Sequence, residues 1–149
     1  MSNEKVSNDC RNVSSQKKVE FLEKIITKLP GLVFCKDLNG AYLTCNEAQA
    51  KIIGLSTPDE VIGKTDFDLL DEKAANKLWS IDKQIMSGQL FIDENNPIEE
   101  TILLPDGRTA VFETIKVLIH DNDGKVMGLA GIAKDITERK KWKKIFEEP

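Results

Sequence analysis

Cys35 and Cys45 flank the dipeptide Asn39-Gly40, a strong signal for a tight turn between two paired strands. Counted outward from that turn, the thiols come close to facing each other. Two such thiols are a redox pair if their Cβ atoms approach and one thiolate is accessible. The alternative is two small apolar side chains that simply pack, and the spacing leaves both readings open. Glu113 is a second candidate. In the strand over residues 109–119 it alternates in phase with Val111, Ile115, Val117 and Ile119. If that face points inward, Glu113 is a partly buried carboxylate that needs a donor or a raised pKa. It could hold a ligand amine or hydroxyl, or be satisfied by Arg108 or a backbone amide. His120 is the sole histidine, so any Ser-His-Asp or Cys-His arrangement must use it. Beside Asp121 at a strand end, it reads as a surface residue.

No catalytic residue is assigned. A phosphate-cradling glycine loop is missing, since "GLAGIAKD" has neither the spacing nor the strand-to-helix context. An ATP site is missing too, so a kinase reaction would have to reside outside this chain. Cys10, Cys35 and Cys45 are odd in number and lack CxxC spacing, which argues against a metal site or a disulfide scaffold. Such usage suits a reducing compartment.

One more set of residues stands at a junction. Asp135 closes the last strand pattern, and Glu138 follows at the spacing of a capping box. Thr137 is an alternative N-cap. Either choice fixes where the final helix begins and how it leaves the sheet. Trp142, Ile145 and Phe146 then form an apolar ridge among lysines.

The elements that must position these residues follow from the pattern. The chain has 149 residues and a formal charge of −4, which suits one domain with tails. Residues 137–149 carry +2, so the rest carries −6, and an acidic body disfavours nucleic-acid binding. No stretch is long and apolar enough for a membrane span, and the polar start lacks a signal-peptide core. Val19, Leu22, Ile25, Ile26 and Leu29 predict an amphipathic helix stopped by Pro30-Gly31. A hairpin, a short helix after Asn46, short helical turns and a longer helix ending at Gly88 come next. On the longer helix Ala75, Leu78, Trp79, Asp82, Ile85 and Met86 share a face. From there the period becomes two, giving three strands joined at Pro105-Asp106-Gly107 and Asp121–Gly124. This order predicts an α+β fold: one five-stranded antiparallel sheet with short helices over one face and flanking N- and C-terminal helices.

That order, with these turns, resembles a PAS domain from about Leu29 to Lys141. "LPGLVFCKDLNGAYLTCNEAQAKIIG" is similar to the opening strand pair and first helix, and "VIGKTDFDLLD" to the linker with its Gly-x-Thr-Asp-x-Asp-Leu pattern. The closing strands end on Asp-Ile-Thr and are especially similar to the PAS domain of anoxic redox-control sensor histidine kinases. The polar start reads as a disordered tail or linker (1–16) and the apolar stripe as an amphipathic helix (17–29); the resemblance adds the PAS domain (30–136) and a helix (137–149) connecting to an effector. It also implies a cytoplasmic sensory module rather than an enzyme. Asp135, Thr137 and Glu138 would couple the signal to the effector. That effector is expected to be a histidine kinase, with a diguanylate cyclase, a transcription factor or a ligand-free dimerisation scaffold as alternatives.

By the same resemblance the ligand site lies on the concave sheet face, lined by Phe34, Tyr42, Ile53, Phe67, Leu78, Trp79, Ile102, Phe112, Glu113 and Ile132. The cofactor expected is an unidentified small molecule. Haem-binding PAS domains use a histidine in the long helix, and residues 72–88 have none. Photoactive flavin domains carry an Asn-Cys-Arg signature that "GKTDFDLLDEK" lacks. Dissociable flavin remains open. The expected partners are a second copy, through the terminal helices, and the effector; no nucleic acid and no membrane segment are expected.

Overall fold

The computed structural model describes residues 14–147; the tail assigned to residues 1–16 and Cys10 therefore lie largely or wholly outside them. Helix α1 (Ser15–Lys28) begins where the Ser14 hydroxyl accepts the Lys17 N–H and ends before Pro30. Its apolar stripe stays uncovered: Val19, Phe21, Leu22 and Ile25 are all exposed.

Strands β1 (Leu32–Asp37) and β2 (Tyr42–Cys45) form the expected hairpin. Gly40 takes a left-handed φ of 80° in the turn, which only glycine adopts without strain. A side chain there would also meet the Trp79 ring. Asn46 then caps α2 (Glu47–Ile52) and does more than cap. Fully buried, it accepts the N–H groups of Val33 and Gln49 and donates to the carbonyls of Leu29 and Gly31. One side chain thus ties the entry of β1 to the start of a helix.

A 3₁₀ turn (Pro58–Val61), the short α3 (Asp66–Leu69) and the long α4 (Glu72–Met86) follow. Thr65 and Asp68 form a capping box on α3, and Asp71 caps α4. Strands β3 (Ile98–Leu103), β4 (Thr109–His120) and β5 (Val126–Asp135) complete one antiparallel sheet of five strands, in the spatial order β2-β1-β5-β4-β3. The chain closes with α5 (Thr137–Glu147).

The core lies between the sheet and α2 through α4. Phe34, Tyr42, Ile53, Val61 and Leu129 form one buried cluster, and Leu104, Ala110, Phe112 and Ala133 another. Gly131 on β5 stands opposite Phe34 in the ladder, and a Cβ there would collide with the Phe34 ring. The glycine lets that ring lie down over the sheet.

The phase of β4 differs from the expectation. Ala110, Phe112, Thr114 and Lys116 are the buried set, and Glu113 shares the outer face with Val111, Ile115, Val117 and Ile119. The outer row is the more apolar of the two, so apolarity alone selects the wrong face. The inner row carries a lysine because carboxylates wait for it there.

Candidate functional site

Five ionisable side chains meet beneath the helices in an alternating line. Lys36 of β1 donates to Asp66 of α3 at 2.6 Å and to Asp82 of α4 at 3.0 Å. Asp82 accepts in turn from Lys116 of β4 at 2.9 Å, and Lys116 also donates to Glu100 of β3 at 3.0 Å. The Tyr42 hydroxyl donates to Asp66 at 2.7 Å, and the Thr114 hydroxyl donates to Glu100 at 3.1 Å. All of these groups are buried. Burying one unpaired charge would cost several kcal/mol, on the order of the penalty that makes such groups rare in cores. Here every carboxylate oxygen has a donor, so the line survives burial. It also clips two helices onto three strands.

Position explains how the sequence builds this line. Lys36 follows Phe34 at strand period, and Lys116 follows Thr114 and Phe112, so both lysines face inward. Asp82 sits on the apolar face of α4 with Ala75, Leu78 and Ile85. Gly131 lies across the ladder from Lys116 and from Phe34, so β5 keeps its backbone low between the two lysine strands.

The electrostatics follow from burial and pairing. Burial alone would push Lys36 down, but Asp66 and Asp82 outweigh it and hold the ammonium above its ordinary value. The ammonium also lies 4.9 Å from the centre of the Tyr42 ring and 5.4 Å from that of Phe34. Burial raises the Tyr42 phenol well above its ordinary value, and the Asp66 carboxylate adds to this.

Next to the line is a cavity of about 50 Å³. Its walls include Phe34, Tyr42, Ile53, Leu78, Ile102 and Phe112, six of the ten residues expected to line a pocket. Four lie elsewhere. Phe67 is exposed on α3, and Trp79 packs on Gly40 under the Lys83 ammonium. Ile132 is exposed on the outer face of the sheet, and Glu113, also on that face, accepts from Arg139 of α5 at 3.0 Å. Lys36, Gln49, Glu100, Thr114 and Lys116 line the cavity and were not foreseen. A legible signal existed: Asp82 was on the core face of its helix, and a charge there demands a partner.

Cys35 and Cys45 are not brought together as a pair. Cys45 stands across from Phe34, and Cys35 across from Thr44, so the two thiols point to opposite faces. Burial raises both thiols, Cys45 to about 11 despite a hydrogen bond from the Ala50 N–H. His120 is exposed at the end of β4.

At the exit of the sheet, the Asp135 carboxylate accepts the Thr137 N–H at 2.9 Å and the Thr137 hydroxyl at 2.6 Å. The Thr137 hydroxyl accepts the Val111 N–H at 2.9 Å, and the Ile136 N–H donates to the Val111 carbonyl. Asp135 and Thr137 therefore anchor the start of α5 to β4. The expected capping box with Glu138 is not formed, because Thr137 takes the Asp135 carboxylate; Glu138 is exposed.

Comparison with known proteins places this arrangement. A family model described as the PAS fold matches residues 26–141. The aerobic respiration control sensor protein ArcB of Escherichia coli (strain K12) is 31% identical over 127 residues, covering 85% of this chain and 16% of that protein. The methanogenesis regulatory histidine kinase FilI of Methanothrix harundinacea is 28% identical over 108 residues, covering 72% of this chain and 12% of that protein. The chain thus spans a small part of the length of these curated relatives. A solved structure of VqmA bound to DPO superposes with a TM-score of 0.67 at 25% identity, over 78% of this chain and 57% of that one. With its helix-covered five-stranded sheet, its cavity and an Asp-Ile-Thr junction leading into a terminal helix, the chain belongs to the PAS family and is a sensory domain of that kind.

Proposed function

We propose that this domain binds a small molecule in the cavity beside the charge line and relays its presence through α5 to an effector, a histidine kinase. The observation that carries this reading is the double role of β3. Its inward Glu100 holds Lys116 at the cavity wall, and its outward neighbour Glu99 pairs with Lys140 of α5 at 2.8 Å. A ligand that moves Lys116 and Glu100 pulls on the strand that holds the connector. Such a ligand acts only through its different affinities for two positions of that strand. Asp135 and Thr137 are the hinge in this reading. FilI and ArcB support a sensor-kinase parent by their names, and VqmA bound to DPO supports a ligand under this fold.

The chain itself performs no catalysis in this account. It pairs with a second copy through the exposed apolar faces of α1 and of α5, where Trp142 and Phe146 stack at 6.1 Å. It works in the cytoplasm and does not contact nucleic acid. Among the described residues no helix is long and apolar enough to cross a membrane.

A second reading, a ligand-free dimerisation scaffold, is favoured by the small cavity and by the pairing of every buried charge. Native mass spectrometry of freshly purified protein, beside its denatured mass, separates the two. A retained small molecule is the expected result. A native protomer mass equal to the denatured one, with no ligand-dependent change in α5, overturns the sensory reading in favour of the scaffold.

A further inference from the structure

The cavity wall is specific about charge. Lys36 and Lys116 line it, whereas Asp66 and Asp82 stand behind them and only Glu100 among the carboxylates reaches the wall. A cationic ligand would meet two ammonium groups first. An anionic ligand fares no better. Three carboxylates face two lysines, so the line holds one more acid than base, and each lysine is shared between two carboxylates. A further buried anion would be left without a counter-charge.

What the wall does offer is hydrogen bonds. Each lysine spends two N–H groups on carboxylates and keeps a third. Gln49 provides an independent sign. Its residue is only 8% exposed and lines the cavity. Its backbone N–H is taken by Asn46, but its side-chain amide has no hydrogen-bond partner among the described residues. None of its polar atoms is buried without a partner, so the amide stands open to a hydrogen bond with whatever occupies the cavity. The remaining walls are apolar, with Phe34, Ile102 and Phe112 among them.

We infer that the cavity selects a compact uncharged molecule with an apolar body and a polar edge that both accepts and donates hydrogen bonds, and that Gln49 and Lys116 read that edge. This rests on the sensory reading above and adds the ligand class to it. The volume of about 50 Å³ is several times the space one water needs. It is also well below that of a pocket for a drug-sized ligand, so the molecule is small.

Three probes of like shape test this on the full chain: isobutyramide, isobutyrate and isobutylammonium, titrated one at a time at fixed ionic strength. The readout is the ¹H–¹⁵N spectrum, in which the Gln49 side-chain amide reports directly. Isobutyramide is expected to shift the Gln49 amide and the backbone signals of Phe112 and Lys116. The two ions should bind at least about tenfold more weakly. Gln49→Leu should weaken isobutyramide by about threefold or more, the size expected for one lost hydrogen bond. Ile102→Phe, which fills the cavity, should abolish its binding even if the first variant folds poorly. Equal or tighter binding of either ion overturns the assignment, as does silence of all cavity signals with isobutyramide. The sensory reading fails separately: a charged molecule retained in native mass spectrometry would refute only the ligand class, while cavity binding that leaves α5 signals unmoved would refute only the relay.

Discussion

Glu99 and Glu113 stand directly across from each other on β3 and β4, and each is held by a different cation of α5. Lys140 takes Glu99 at 2.8 Å, and Arg139 takes Glu113 at 3.0 Å. Like charges facing across a ladder repel. The final helix relieves that repulsion by docking, so its position and the sheet are coupled.

Replacing both acids, Glu99→Gln with Glu113→Gln, should therefore loosen α5 without unfolding the domain. These pairs are partly exposed and screened, so the change in global stability should stay within about 1 kcal/mol. Amide exchange in α5 should quicken, and high salt should do the same to the unmodified protein. Unchanged exchange would show that the Asp135–Thr137 junction alone fixes the helix.

Thr137→Val removes a hydroxyl that serves both Asp135 and the Val111 N–H. The half-buried Val111 amide then lacks its partner, which costs about 1–3 kcal/mol. Urea unfolding measures the loss. Glu138→Ala, by contrast, should change stability by no more than about 0.5 kcal/mol, as for an ordinary surface site.

Asp82 is the member of the charge line shared by both lysines. Asp82→Ala leaves two buried ammonium groups with one carboxylate each and should cost about 3–5 kcal/mol. A loss below about 1 kcal/mol by urea titration would mean that water reaches the lysines and the line is not truly buried.

Gly131→Ala should destabilise by about 1–3 kcal/mol, because its methyl group meets the Phe34 ring. In a Phe34→Leu background the same change should cost measurably less. Equal costs in the two backgrounds would place the strain on the backbone instead.

Alkaline pH should unfold the domain early. Lys36, Tyr42 and Cys45 all have raised values, so the folded chain holds these protons more tightly than the unfolded one. Their contribution is complete below the unfolded values, roughly pH 8.5 for the thiol and about 10 for the other two. It fades as pH climbs through the folded values, the thiol's at about 11. Denaturant melts at a series of pH values should show a plateau near neutrality and then a decline. Cys45→Ala should flatten the first part of that decline, and an identical slope in the variant would sink the assignment.

The hairpin around Asn39-Gly40, the helix stripes and the three closing strands were legible because each is a local pattern read by the backbone within a few residues. The PAS-like order of elements came from the same local signals, and so did the junction at Asp135 and Thr137. The capping box with Glu138 did not form, since Thr137 reached the same carboxylate first. Six of the ten named residues line the cavity because large apolar side chains on inward positions are a one-dimensional signal.

Only the tertiary structure decided which face of β4 was inward and which charges met. A period of two gives two faces but not their sense. The sense was set by Asp66, Asp82 and Glu100, 30 or more residues from Lys36 or 16 or more from Lys116, arriving from separate elements to neutralise the two lysines. Likewise the count from the turn left open whether Cys35 and Cys45 meet, and register put their side chains on opposite faces. The sequence determined the elements and their order, because those depend on neighbours along the chain; the charged cavity depended on neighbours in space, and only folding supplied them.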